Sequence, residues 1–143
     1  LPVALSLEYS VGETRQWLSR AAAGLAASGT VTVEAAILGL PLVVAYRLNA
    51  VTWHIVKHMV KLPFVTIANL VTKRCVYEEY LQDDAVPEKL APALLTILPG
   101  GSRHDEVVAG IRECTLLLGG DNAISLRVAD AVLAAMKNDA PNA

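Results

Sequence analysis

The sequence predicts an α/β fold, a parallel sheet with flanking helices that ends in two further helices. Three observations predict it. Leu25-Ala26-Ala27 and Leu42-Val43-Val44-Ala45-Tyr46 are unbroken apolar runs of strand length, and strands apolar at every position belong to parallel sheets buried on both faces. Residues 30–39 between them read as a helix closing near Gly39, so strand, helix and strand form a βαβ unit, whose crossover is nearly always right-handed. Past residue 98 the strand signals stop and two helical segments follow. The order divides the chain into an α/β part, residues 1–98, and a C-terminal helical segment, residues 99–143.

Taken in order, residues 1–7 read as a weak strand, and residues 12–23 as a helix with Glu13 early and Arg15 and Arg20 later. Residues 21–46 are apolar enough to raise the question of a membrane span, but Gly24, Ser28, Gly29, Thr30, Gly39 and Pro41 break them into short pieces. Residues 50–62 read as a second strong helix and residues 64–70, after Pro63, as a short strand or extended segment. Residues 87–98 read as a helix with Pro87 in its first turn, where the missing N–H costs nothing; Pro92 either kinks it or moves its start. Pro99-Gly100-Gly101 is a break. Ser102 and Asp105 form a capping box that opens a helix to about residue 118. Residues 119–122 read as a turn, 123–137 as the last helix, and 138–143 as a frayed tail. There is no internal repeat.

Composition narrows the function classes. Of 143 residues, 54% are hydrophobic and 18% charged, which excludes intrinsic disorder. A chain of this length closes a core without disulfide or metal. The net charge of −2 argues against a nucleic-acid partner, which calls for a basic excess. No charged start followed by an apolar stretch resembles a signal peptide, and a first residue of Leu suggests a chain that starts inside something larger. Cys75 and Cys114, far apart and without CxxC spacing, read as two reduced thiols, with a structural disulfide as the minority alternative.

Three segments carry candidate chemistry. In the first, a buried strand gives way to a helix at Ser28-Gly29-Thr30. Free backbone N–H groups and the helix dipole favour an anion there, Gly29 permits close approach, and the two hydroxyls add donors. This is a candidate diphosphate seat at the carboxyl end of a strand. Glu34, one helical turn after Thr30, is placed to accept from the vicinal hydroxyls of a ribose. The plainer alternative is that Ser28 only caps the helix and Glu34 is a solvated acid. In the second segment, His54, Lys57, His58 and Lys61 fall in one arc of about 100° on a helical wheel, beside an apolar side holding Val51, Ile55, Met59 and Leu62, with Trp53 near the boundary. Either this is a membrane-surface helix or it covers the sheet with a solvated basic face. His54 and His58 have the spacing of a metal pair, but no third ligand is evident, and no metal is expected. In the third, Asn69 is a candidate donor to a ligand hydroxyl, and Arg74 a partner for a phosphate or for Glu79; a surface loop with an internal ion pair reads better from the residues alone.

Taken together, Ala-Ser-Gly-Thr-x-x-x-Glu, Pro41-Leu42-Val43-Val44-Ala45-Tyr46-Arg47, the Trp/His/Lys segment ending Val60-Lys61, and Asn69-Leu70 with Arg74 and Glu79-x-Leu81-Gln82 resemble the C-terminal half of lipid-A-disaccharide synthases. The match runs from about residue 11 to 98, and Ala129-Asp130-Ala131-Val132-Leu133 resembles the family's last helix. Lys73, Cys75 and Glu78 stand where members often carry Gly, Glu and Pro. The resemblance implies a Rossmann-like domain from a two-Rossmann-domain (GT-B) inverting glycosyltransferase, a hexosyltransferase that needs no cofactor. It transfers 2,3-diacylglucosamine from UDP-2,3-diacylglucosamine to 2,3-diacylglucosamine 1-phosphate (lipid X), releasing UDP in lipid A biosynthesis. It also implies a peripheral site on the cytoplasmic face of the Gram-negative inner membrane. By that resemblance Ser28, Gly29 and Thr30 face the diphosphate and Glu34 the ribose. Tyr46, Arg47, Asn69, Arg74 and Glu79 fall in donor-side polar motifs, and Trp53, His54, Lys57, His58 and Lys61 in a membrane-surface helix. The acceptor site and catalytic base are expected in an N-terminal domain outside this chain, so the chain alone is expected not to catalyse transfer. Two alternatives remain, another UDP-sugar glycosyltransferase or epimerase, and a non-catalytic membrane-surface α/β module. The C-terminal helices carry apolar stripes (Val107, Ile111, Leu118; Ala129, Val132, Leu133, Met136) that are expected to lack their partner and so to suit a homodimer.

Overall fold

A computed structural model describes residues 6–48 and 63–119. The weak strand of residues 1–7 falls almost wholly outside them. The helix of residues 50–62, the last helix of residues 123–137 and the tail lie outside them entirely. Helix α1 spans Thr14–Arg20, shorter at both ends than the sequence suggests, because Ala21 turns extended to enter strand β1, Gly24–Ala26. Helix α2, Thr30–Ile37, follows, then strand β2, Leu42–Tyr46. Leu38 caps α2 and Gly39 takes φ +77°, the left-handed conformation that ends a helix at least cost with glycine. β1 pairs with β2 in parallel, Leu25 opposite Val43, so the βαβ unit stands as the apolar runs predict.

The two strands are not equally buried. Val43 and Val44 of β2 are wholly buried, whereas Leu25 is 52% exposed. β1 is the edge of the sheet among the described residues, which corrects the expectation that both runs are buried on both faces. The other flank of β2 is taken by strand β3, Glu78–Leu81, again parallel, with Val44 opposite Glu79. The sheet order is β1-β2-β3.

Two further expectations are corrected between β2 and β3. Residues 64–70 are not a strand: Ile67–Thr72 forms helix α3, and Lys73 ends it at φ +55°. Glu79-Tyr80-Leu81, read from sequence as loop, lies in a strand. The causes are linked. The α3 N-terminus is held by a carboxylate on β3, a contact no local pattern reveals, and β3 is a half-buried edge strand whose acids are individually paired, so it lacks an apolar run.

A short 3₁₀ turn, Gln82–Asp84, leads to helix α4, Pro87–Ile97, with Pro87 in its first turn and Pro92 accommodated inside a helix that runs on past it. At the corner after α4 a side chain on Gly101 would place its first carbon 2.3 Å from Thr96 O, so the chain closes there only with glycine. Helix α5 spans His104–Leu117, and its N-cap is Arg103 with no side-chain cap. The Ser102–Asp105 capping box is therefore not formed. Arg103 is held instead by its backbone N–H to Thr96 O and by its guanidinium to Glu78 and Glu106.

α5 packs on α2 and α3. Its Val107, Ile111 and Cys114 are buried in the same core as Val43, Val44, Tyr77 and Ile97. Gly110 allows this approach, since a side chain there would come within 2.8 Å of Val76. The stripe of Val107 and Ile111 is thus covered within the chain, which corrects the expectation that it lacks a partner. Each such side chain contributes about 1.5–3 kcal/mol by leaving water. The companion stripe from Ala129 to Met136 lies outside the described residues. No helix among the described residues is long and apolar enough to cross a membrane.

Candidate functional site

Because the three strands are parallel, their carboxyl ends share one edge of the sheet. That edge gathers Ser28-Gly29-Thr30 after β1, Tyr46-Arg47 after β2 and Gln82 after β3. In open α/β sheets this edge is where ligands bind. Arg47 Nε donates to Gln82 O at 3.0 Å, tying the second exit to the third.

The α2 N-terminus accepts no capping side chain. Thr32 turns its hydroxyl back onto Gly29 O at 2.7 Å, and its N–H reaches the same oxygen at 3.1 Å. Gly29 is extended and exposed, with nothing within 4 Å of where a side chain would begin. The first N–H groups of α2 have no intrahelical acceptor, and among the described residues no side chain takes them. Ser28 does not cap the helix: its hydroxyl donates to Val65 O at 3.4 Å, across from the α3 approach. Glu34 is exposed on α2 and lines a cleft of about 480 Å³ with Gly12, Thr14, Arg15, Ile37 and Leu38. Arg15, which the sequence marked only as a helix cation, thus shares the cleft with Glu34.

Asn69 and Glu79 are brought together in one network. Asn69 is fully buried. Its Nδ2 donates to Tyr77 O at 2.7 Å and to Glu79 Oε1 at 2.9 Å, and its Oδ1 accepts from Val76 N and Tyr77 N, both at 2.8 Å. An amide side chain has two donor hydrogens and two acceptor lone pairs, so its capacity is filled. Glu79 Oε1 also accepts from Thr66 N at 2.8 Å and Thr66 Oγ at 2.7 Å, and Oε2 from Val65 N at 2.9 Å. Thr66 was not singled out from sequence, although Thr is a preferred N-cap residue and here its hydroxyl accepts from Asn69 N at 3.4 Å.

Arg74 stands apart from this network. It pairs with Glu113 of α5, not with Glu79, whose carboxylate is already engaged by α3. Both partners are about half exposed, so the pair is worth at most about 1 kcal/mol. Behind β3, Glu78 pairs with Arg103 and accepts the Tyr80 hydroxyl at 2.6 Å, a hydrogen bond that pushes the Tyr80 phenol up to about 12. Cys75 is exposed and Cys114 buried, both as free thiols. Although Cys75 as a whole is exposed, its sulfur sits partly desolvated against Tyr77 O, which pushes the Cys75 thiol up, away from the thiolate a nucleophile needs. Among the described residues no group of three or more His, Cys, Asp or Glu is placed to hold a metal ion. Trp53, His54, Lys57, His58 and Lys61 lie outside the described residues.

Comparison with known proteins bears on this edge. Residues 3–128 match the family model described as lipid-A-disaccharide synthetase. A lipid-A-disaccharide synthase of Bradyrhizobium diazoefficiens is 41% identical over 137 residues, covering 95% of this chain and 35% of the relative. One from Pseudomonas fluorescens is 42% identical over 129 residues, covering 90% of this chain and 33% of the relative. One from Solibacter usitatus is 38% identical over 121 residues, covering 85% and 32%. The chain spans about a third of the length of these curated relatives.

Proposed function

This chain belongs to the lipid-A-disaccharide synthase family, and from that premise we propose that it is the donor-nucleotide-binding part of a GT-B glycosyltransferase. The whole enzyme moves 2,3-diacylglucosamine from UDP-2,3-diacylglucosamine to lipid X and releases UDP, at the cytoplasmic face of the inner membrane. The observation that carries this reading is the uncapped α2 N-terminus at the carboxyl edge of the parallel sheet, with Ser28, Gly29 and Thr30 at its mouth and Glu34 one turn in.

In this reading the open N–H groups of α2 bind the diphosphate, and its dipole offsets the negative charge. The Thr30 and Ser28 hydroxyls add donors, Ser28 by exchanging its long bond to Val65 O for a phosphate oxygen. Glu34 accepts from the ribose hydroxyls. Tyr46 and Arg47 stand at the next strand exit on the same edge, while Asn69 and Glu79 hold the framework. Diphosphate binding of this kind supplies donor orientation and stabilises the leaving UDP, whose negative charge grows as the glycosidic bond breaks. The base that deprotonates the acceptor hydroxyl is assigned to a part of the enzyme outside this chain.

Titration of the chain with UDP, followed by backbone amide resonances, is expected to move Ser28 to Glu34 and saturate. Glu34→Ala is expected to weaken UDP by roughly ten- to hundredfold, the worth of a charge-assisted hydrogen bond of about 1.5–3 kcal/mol. A dispersed spectrum that ignores UDP defeats the proposal. With both lipid substrates the chain alone is expected to show no glycosyl transfer, and measurable turnover would place a competent base within it.

A further inference from the structure

Glu79 is half-buried, and its carboxylate is held by four protein donors. Oε1 accepts from Thr66 N, Thr66 Oγ and Asn69 Nδ2, and Oε2 accepts from Val65 N. Oε1 is therefore filled, and Oε2 is committed first to Val65 N. What Glu79 does is fix the chain at Val65 and Thr66, thirteen or more residues before it in sequence. Val65 is bonded on both sides: its N–H goes to Glu79, and its carbonyl takes the Ser28 hydroxyl at 3.4 Å. The path from Glu79 to the mouth of α2 is thus two hydrogen bonds through one residue.

We infer that Glu79 is a positioning residue for the Ser28–Thr30 turn, acting through Val65 and not by contact with the donor. The inference rests on reading that turn as the diphosphate seat. It differs from a charge role in sign. A carboxylate near a bound diphosphate repels it, so if charge alone mattered, neutralising Glu79 would tighten UDP. A positioning role predicts the opposite. The isosteric Glu79→Gln keeps one oxygen, which serves the three donors on the Oε1 side. Its amide then turns two hydrogens toward Val65 N–H, donor against donor, and Val65 is released.

The test uses the 143-residue chain. In ligand-free amide spectra Glu79→Gln is expected to shift Ser28 and Gly29 as well as Val65 and Thr66, and to weaken UDP by roughly fivefold or more. Tyr77→Phe serves as the comparison. It deletes a buried hydrogen bond to Leu40 O, 3.1 Å long, at the opposite edge of the sheet. It lowers stability by removing that bond, yet is expected to leave Ser28, Gly29 and UDP affinity unchanged. Ser28→Ala breaks the path from its other end, and the Thr66 amide, which senses the Val65 carbonyl, is expected to move; this variant decides the matter should Glu79→Gln fail to fold. Movement of Val65 and Thr66 with Ser28 and Gly29 still overturns the inference, as does tighter UDP binding in Glu79→Gln, or equal weakening in Tyr77→Phe. A lack of any UDP response in the unsubstituted chain overturns the seat reading itself. That failure is distinguishable, because the ligand-free shifts report the coupling without UDP.

Discussion

Asn69→Ala is expected to lower the unfolding free energy by about 3–5 kcal/mol, a large share of the 5–15 kcal/mol that holds a typical domain together. The substitution strips partners from Val76 N, Tyr77 N, Tyr77 O and Glu79 Oε1 at once, at a site closed to solvent. Each buried group left unsatisfied costs about 1–3 kcal/mol. The sum is discounted because a water entering the vacated space restores some of these bonds. Urea unfolding followed by circular dichroism measures the loss. A change below about 1 kcal/mol would mean that water replaces the amide almost completely, and the network would lose its claim to hold α3 against β3.

Gly29→Asp is expected to act in opposite directions on stability and binding. Among the described residues no side chain caps the α2 N-terminus and nothing stands where a Gly29 side chain would grow, which leaves room for an Asp N-cap. The carboxylate satisfies open N–H groups and complements the dipole, raising stability by about 0.5–1 kcal/mol. The same carboxylate occupies the seat and repels the diphosphate. At contact distance near a protein surface that repulsion is about 4 kcal/mol, so UDP is expected to weaken by more than roughly a hundredfold. A protein that melts higher and binds less cannot owe its loss to unfolding. Thermal melts and UDP titration of the same sample give both numbers, and unchanged UDP affinity would remove the α2 N-terminus from the site.

What was legible in the sequence is what depends on neighbours along the chain. β2 announces itself because all five residues are apolar, α2 because Gly39 closes it, and α4 because Pro87 opens it. The Ser28-Gly29-Thr30 turn and Glu34 were visible for the same reason, being one contiguous strand-to-helix junction. α3 and β3 were misread together because each is defined by the other. Phe64, Val65 and Ile67 look like a strand until the Glu79 carboxylate caps the chain at Val65 and Thr66. Glu78 and Glu79 look like loop until Arg103 and α3 account for their charges. Asn69, Arg74 and Glu79 were singled out as one polar motif. The structure unites the first and last and sends Arg74 to Glu113, thirty-nine residues away, a partner no local spacing indicates.

The tie between Glu79 on β3 and the approach to α3 also bears on how this part of the chain opens. Six residues are too few to form a helix in water alone, since nucleation fixes several residues for each hydrogen bond gained. α3 therefore leans on the Glu79 carboxylate of β3 and on its packing against α5, while Asn69 of α3 holds the loop into β3 at Val76 and Tyr77. The two elements share their hydrogen bonds and are expected to open together as one cooperative unit. The βαβ unit made by β1, α2 and β2 needs neither of them for its own hydrogen bonds. The proposed diphosphate seat thus joins that cooperative unit to the βαβ unit, and opening of α3 and β3 is expected to free Ser28 from Val65.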